Sequence, residues 1–327
     1  MLLLISFVLL LGGAVLFTNA VEWAGSRLNL GSGAVGSILA AVATALPEST
    51  VPVVAILTGG AGGEIAIGSI LGAPFLLATL AMMLVGLAAL GFSGRREQGR
   101  ELVLHRKTTR RDLSVFLVVF AIAVLLGIVG PKWAKIAAAV VFVVAYGVYV
   151  WLSIRGGGQA AEEEKLAALY FDPSKRTPPK NYQIIAQTLA GLAAIVGGAE
   201  LFVTEIEHIA QTFGVSALVL ALVIAPLATE LPEKANSFIW VRGGKDALAL
   251  GNITGAMVFQ SMLPVAVGMA FTPWDFSTAA IVPSVAALAG GVLAIVTLST
   301  SNRYPIPQVC VWAGLYAAAI IYIVLSA

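Results

Sequence analysis

Ten apolar stretches, each about 20 residues or longer, fall near residues 2–24, 31–58, 63–92, 112–130, 133–154, 183–209, 214–241, 246–271, 277–299 and 305–326. Runs of this length cross the hydrocarbon core as helices, because a helix satisfies all of its backbone polar groups internally. Of the 327 residues 11% are charged, where a soluble domain carries about 25%. The sequence therefore predicts an all-α polytopic membrane protein of ten transmembrane helices, integral to a plasma (inner) membrane. The first stretch has no positively charged leader before it and reads as a retained span, not a signal peptide.

Charge sorts the connections between the stretches. Segment 93–111 carries Arg95, Arg96, Arg100, Arg106, Lys107, Arg110 and Arg111, and segment 155–182 carries Arg155, Lys165, Lys175, Arg176 and Lys180. Arg27, Arg242, Lys245 and Arg303 fall in the other odd-numbered connections, whereas the even-numbered ones hold only Lys132 and Lys135. Basic loops stay on the cytoplasmic side, which puts the odd connections inside and both termini outside. Between spans, the basic 93–111 loop is a topology determinant with anionic lipid in reach, and no nucleic-acid partner is expected. Segment 155–182, with three consecutive glycines at 156–158 and glutamates at 162–164, reads as a solvated cytoplasmic linker. It joins two five-helix halves, 1–154 and 183–327.

The halves repeat one another. Gly12-Gly13-Ala14-Val15-Leu16-Phe17 matches Gly197-Gly198-Ala199-Glu200-Leu201-Phe202, and Leu46-Pro47-Glu48 matches Leu231-Pro232-Glu233. Further on, Gly68-Ser69-Ile70-Leu71-Gly72-Ala73 meets Gly251-Asn252-Ile253-Thr254-Gly255-Ala256. With five spans in each half, the copies, about 12–90 and 197–271, must be inverted relative to each other. Inverted repeats with helices interrupted at matching positions are a design of secondary transporters, whose site lies where the repeats meet.

Pro47 and Pro232 each remove a helix hydrogen bond, so helices 2 and 7 are expected to be broken. A glutamate follows each proline, at a depth where a charge costs about 2.5 kcal/mol or more. Irregular backbone at that depth is tolerated only where it is buried in protein or lines a wet cavity. Freed carbonyls, the Thr44 and Thr229 hydroxyls, and the Glu48 and Glu233 carboxylates make an all-oxygen environment. Such a site suits hard cations, Ca²⁺, Na⁺ or Mg²⁺, and not zinc or copper. Cys310 is the single cysteine and His105 and His208 are the two histidines, so a thiolate or histidine metal centre is not expected.

The two regions resemble the α-repeats of the sodium/calcium exchanger family, in the calcium/cation antiporter superfamily. The family motif Gly-Thr-Ser-Leu-Pro-Glu corresponds here to Ala43-Thr44-Ala45-Leu46-Pro47-Glu48 and Ala228-Thr229-Glu230-Leu231-Pro232-Glu233. The resemblance implies secondary antiport by alternating access. It also implies Ca²⁺ coordination by Glu48 and Glu233, with Thr44 and Thr229 in the ion pathway. Ala45 and Glu230 stand where the family has serines, and the later Gly-Ser-Asn triplets are Gly72-Ala73-Pro74 and Gly255-Ala256-Met257. Ser69, Asn252, Asn236 and Ser49, with Gln260 and Ser237, are the candidates to supply the missing oxygens. Na⁺-driven Ca²⁺ exchange is the first reading, and H⁺-coupled exchange of Ca²⁺ or another divalent ion is the alternative.

Glu230 and Lys234 are four residues apart, the favourable order for a helix ion pair. A lysine at this depth must find an anion or lose its proton. Lys234 can supply a fixed positive charge where relatives bind a coupling Na⁺, or it can simply stiffen the helix. Glu22 lies along helix 1, Glu205, Glu207 and His208 are expected to be solvated, Glu200 is a weak candidate for proton or cation entry, and Glu64 and Asp246 suit the positive ends of their helices. A membrane-embedded enzyme is disfavoured, since no span carries a Ser/His or Asp/Asp catalytic arrangement. A passive channel remains as the third class. No cofactor and no obligatory protein partner are expected.

Overall fold

The computed structural model describes residues 1–27, 46, 48–155, 166–174, 178–300 and 303–326, without the side chains at 154, 155, 231–233, 235, 236 and 326. Its elements are helices: α1 (Leu2–Arg27), α2 (Glu48–Thr58), α3 (Gly62–Gly91), α4 (Arg106–Val129), α5 (Lys132–Arg155), α6 (Asn181–Phe213), α7 (Ala217–Arg242), α8 (Asp246–Phe271), α9 (Thr278–Thr300) and α10 (Ile306–Ser326). A single bridge between Glu101 and Arg303 is the one extended pairing among the described residues. Eight of the helices are long and apolar enough to cross a membrane. The exceptions among the described residues are α2 and α7, whose Ala217–Glu230 part is a shorter apolar helix. The first part of the expected second span, at 31–45, lies outside the described residues.

One expectation needs correction. The backbone of α7 stays helical from Ala217 to Arg242, through both Pro226 and Pro232. Each proline removes a donor, but the flanking turns keep their own hydrogen bonds, so the helix is weakened without ending. Pro47, the expected break of helix 2, lies outside the described residues; among the described residues an irregular turn lies in α3. Pro74 lies inside that helix, and residues Leu77–Ala81 form a π-turn just beyond it, with Thr79 Oγ1 donating to Phe75 O. A proline that breaks the ladder, followed by one wide turn, lets the chain resume as a helix to Gly91.

The chain forms two compact units, residues 1–62 with 147–208, and residues 63–146 with 209–327. Each draws on both halves of the sequence. In the first unit, α1 and α6 run antiparallel. Phe7 stacks on Phe202, Gly198 meets Leu10, Gly13 meets Gly191 and Ile195, and Gln187 Nε2 donates to Leu16 O and to Asn19 Oδ1. A Cβ added at Gly13 would lie 2.9 Å from Gly191 O, so the two backbones approach as only glycine permits.

Part of the presumed linker is packed against this unit, which corrects its reading as wholly solvated. Leu169 is buried with Ala20, Trp23 and Ile184. The Trp23 indole and Asn19 amide both donate to Ala167 O, and Arg27 donates to Pro179 O. Four apolar residues clustered across three segments outweigh the polar composition around them.

In the second unit α3 and α8, the helices carrying the Gly68–Ala73 and Gly251–Ala256 repeat, are the most enclosed. Helix α3 runs parallel to α7: a Cβ on Gly68 would lie 2.3 Å from Leu218 O, and one on Gly72 2.2 Å from Leu222 O. Helix α4 packs on α8 and α9, and α9 on α10 and the π-turn. At one end of α8, the fully buried Asp246 Oδ2 accepts from Arg96, Gln98 and the Val103 amide. At the other end, Lys132 Nζ donates to the carbonyls of Met269, Ala270 and Thr272, and Lys135 Nζ to Pro273 O and Asp275 Oδ1. Trp274, at φ 51°, is fully buried and donates to Ala123 O.

Candidate functional site

The first copy of the motif contributes Glu48, in α2. Its side chain is buried, at 9% exposure, in an otherwise apolar helix, and Ser49 beside it is half-buried. Thr44 lies outside the described residues. A carboxylate this enclosed is costly at membrane depth unless its surroundings compensate it.

The second copy sits within α7. Glu230 is fully buried and Lys234 is 3% exposed, and the Lys234 Nζ lies 3.5 Å from Glu230 Oε2. The helix spacing thus produces the pair that the sequence suggests, out of contact with water. Thr229 is half-buried and its hydroxyl donates to Ala225 O, 3.1 Å away, which leaves the oxygen's lone pairs able to face a cation. The side chains of Glu233 and Asn236 lie outside the described residues, although their backbone is helical.

Two buried hydroxyls of this second unit, Ser69 on α3 and Ser237 on α7, have no hydrogen-bond partner among the described residues. A buried hydroxyl without a partner costs about 1–3 kcal/mol, and bound water or an ion removes that cost. Asn252, on α8, is half-buried, and Gln260 on the same helix is buried.

Asp112 escapes a reading of the sequence. It is 2% exposed at the start of the apolar part of α4, where its Oδ2 accepts from Thr254 Oγ1 at 3.1 Å and its Oδ1 accepts from Arg111. Three basic neighbours at 107, 110 and 111 hide it in a loop-like context. A lone acid exactly where the apolar run begins is the signal that could have found it. Asp246, read as a favourable helix-end charge, also holds Arg96 in a closed ion pair. Glu207 accepts from the Ala61 amide, and Glu200 is exposed.

Enclosed carboxylates in apolar, proline-containing helices, with hydroxyls beside them, define an ion-conducting or ion-exchanging membrane protein. The sodium/calcium exchanger protein family matches residues 1–155 and 184–325. The chain belongs to that family of membrane antiporters, and is a transporter, not an enzyme. It is 26% identical to the CaxA protein of Alkalimonas amylolytica over 277 residues, 85% of this chain and 82% of that one. It is also 26% identical to the inner membrane protein YrbG of Escherichia coli, over 74% of this chain and 70% of YrbG. In structure it is similar to the H⁺/Ca²⁺ exchanger CAX, with a TM-score of 0.71 at 20% identity, covering 99% of this chain and 86% of that one. The sodium-calcium exchanger NCX_Mj, soaked with Na⁺ and Sr²⁺, matches with a TM-score of 0.59 at 22% identity, covering 98% and 96%. These structural likenesses establish the shared fold.

Proposed function

We propose that the protein exchanges Ca²⁺ for Na⁺ by alternating access, with the divalent ion held mid-membrane by Glu48 and Glu233 and by oxygens of Thr44, Thr229 and Glu230. Ser49, Ser69, Asn236 and Asn252 complete or flank the ion pathway. The observation that carries this reading is the burial of Glu48 and Glu230 in apolar helices of a chain of this family. Ca²⁺ takes six to eight oxygens, so water supplies the ligands that the side chains do not. Carboxylates that bind a cation on one half of the cycle and release it on the other make transport pH-dependent, because protons compete for the same oxygens.

The architecture that goes with this function is ten spans in two inverted repeats of five. Helix directions support it. α1 and α6 are antiparallel, and if α3, α4 and α5 each cross once, parity calls for one further crossing between α1 and α3, which we assign to the region holding α2. An even number of crossings returns the second terminus to the side of the first, and the basic odd loops place that side outside.

Proton coupling is the second reading, and the Glu230–Lys234 pair favours it. A tethered ammonium beside a carboxylate occupies with a fixed charge the space that a coupling Na⁺ would need. Uptake of ⁴⁵Ca²⁺ into proteoliposomes separates the readings. Accumulation driven by an outward Na⁺ gradient supports the first, and accumulation under a proton gradient alone supports the second. Flux indifferent to both gradients removes antiport and leaves a passive channel.

A further inference from the structure

A cavity of about 550 Å³ opens in the second unit between the beginning of α4 and the end of α9. Arg106, Lys107, Arg110 and Arg111 line it, and no carboxylate does. Two of these cations are already engaged. Arg106 reaches Ser299 O, and Arg111 is paired with Asp112, which is buried behind it. Lys107 and Arg110 are exposed and make no ion pair among the described residues. Leu113 of α4 and Ile295 and Leu298 of α9 supply its apolar lining, beside the hydroxyl-bearing Thr109, Ser114 and Ser299.

We propose that this cavity binds the headgroup of an anionic phospholipid, with the phosphate between Lys107 and Arg110 and the first acyl carbons against Leu113, Ile295 and Leu298. Three features select an amphiphile over a free anion. The cations occupy the first turns of α4, where the backbone amides point outward and the helix dipole adds positive potential. From Leu113 onward the same helix is continuously apolar to Val129, apart from Ser114. The pocket therefore straddles the boundary at which a lipid changes from phosphate to hydrocarbon. Arginine and lysine near such a surface each strengthen binding of anionic lipid severalfold.

The test uses the full chain in a neutral detergent, stripped of co-purified lipid, with its thermal midpoint followed as ligand is added. Short-chain phosphatidylglycerol is expected to raise the midpoint saturably, and matched phosphatidylcholine and inorganic phosphate are expected to leave it unmoved. Lys107→Gln/Arg110→Gln is expected to weaken the phosphatidylglycerol effect about thirtyfold in half-saturating concentration. Its elution volume and lipid-free midpoint should match the parent, and either single variant serves if the double variant folds poorly. An undiminished phosphatidylglycerol effect in the variants overturns the site. An equal response to phosphatidylcholine overturns the charge selectivity, and an equal response to inorganic phosphate makes this a free-anion site instead.

Discussion

The two copies of the Pro-Glu motif carry the same formal charge by different means. Residues 43–49 hold one charged group, Glu48, while 228–234 hold three, Glu230, Glu233 and Lys234. Each stretch therefore carries one net negative charge. The addition in the second copy is a neutral pair, closed at 3.5 Å and excluded from water. Its attraction for a distant cation is nearly nil, yet on the proposed function its ammonium would repel a second monovalent ion locally. The comparison separates how strongly a site attracts cations from how many it can hold.

Substitution of the two motif glutamates should have the largest effect. Glu48→Gln and Glu233→Gln should each lower ⁴⁵Ca²⁺ uptake by about a hundredfold or more, beyond the loss typical of residues that only support ligands. If one variant keeps its transport, the ion belongs to a single copy. Next, Glu230→Gln strands a buried ammonium, and should destabilise the protein by about 3–5 kcal/mol, read as a lower unfolding midpoint. Glu230→Gln with Lys234→Met should recover most of that loss. A double variant as unstable as the single one would show that the two residues do not act as a pair.

Lys234→Met alone removes the cation beside the buried Glu230 carboxylate, which must then take up a proton or the transported cation. Half-saturating Ca²⁺ should fall about fivefold to tenfold, the scale of one charge across several ångströms in a partly screened interior, and Na⁺ should become a stronger competitor. Unchanged Na⁺ sensitivity would remove the ammonium from any role in ion selection. Thr229→Val should have the smallest effect, about threefold in half-saturating Ca²⁺. Its hydroxyl already donates within its own helix to Ala225, so little stability is at stake.

Local chemistry was legible in the sequence and distant pairing was not. The eighth span, read at 246–271, is Asp246–Phe271 in the structure, because a largely apolar run with no charge after Asp246, ended by Thr272-Pro273, fixes both ends. The Glu230–Lys234 pair follows from helical spacing alone. Arg96 with Asp246, Asp112 with Thr254, and Asn19 with Gln187 each join residues more than a hundred positions apart. Nothing in composition pairs them. The continuity of α7 across Pro232 was also hidden, since a proline marks a missing hydrogen bond but does not say whether neighbouring turns hold. The carboxylate of Glu48 is enclosed, as its apolar context predicts, while its ligand role rests on the proposed function.

Lys132 and Lys135 have a consequence for how the chain is made. They lie in the first turn of α5, beyond the end of α4 away from the basic loop, where in the proposed orientation positive charge opposes insertion. In the finished protein their charges are engaged by carbonyls of residues 269–273 and by Asp275. Those partners are synthesised about 140 residues later, an interval of roughly seven to thirty seconds at about 5–20 residues per second. Until then two unmasked cations compete for topology against the arginine-rich segment before α4. In the proposed orientation, the seven basic residues at 93–111 are thus the margin by which the nascent chain keeps its topology while the rest of the molecule does not yet exist.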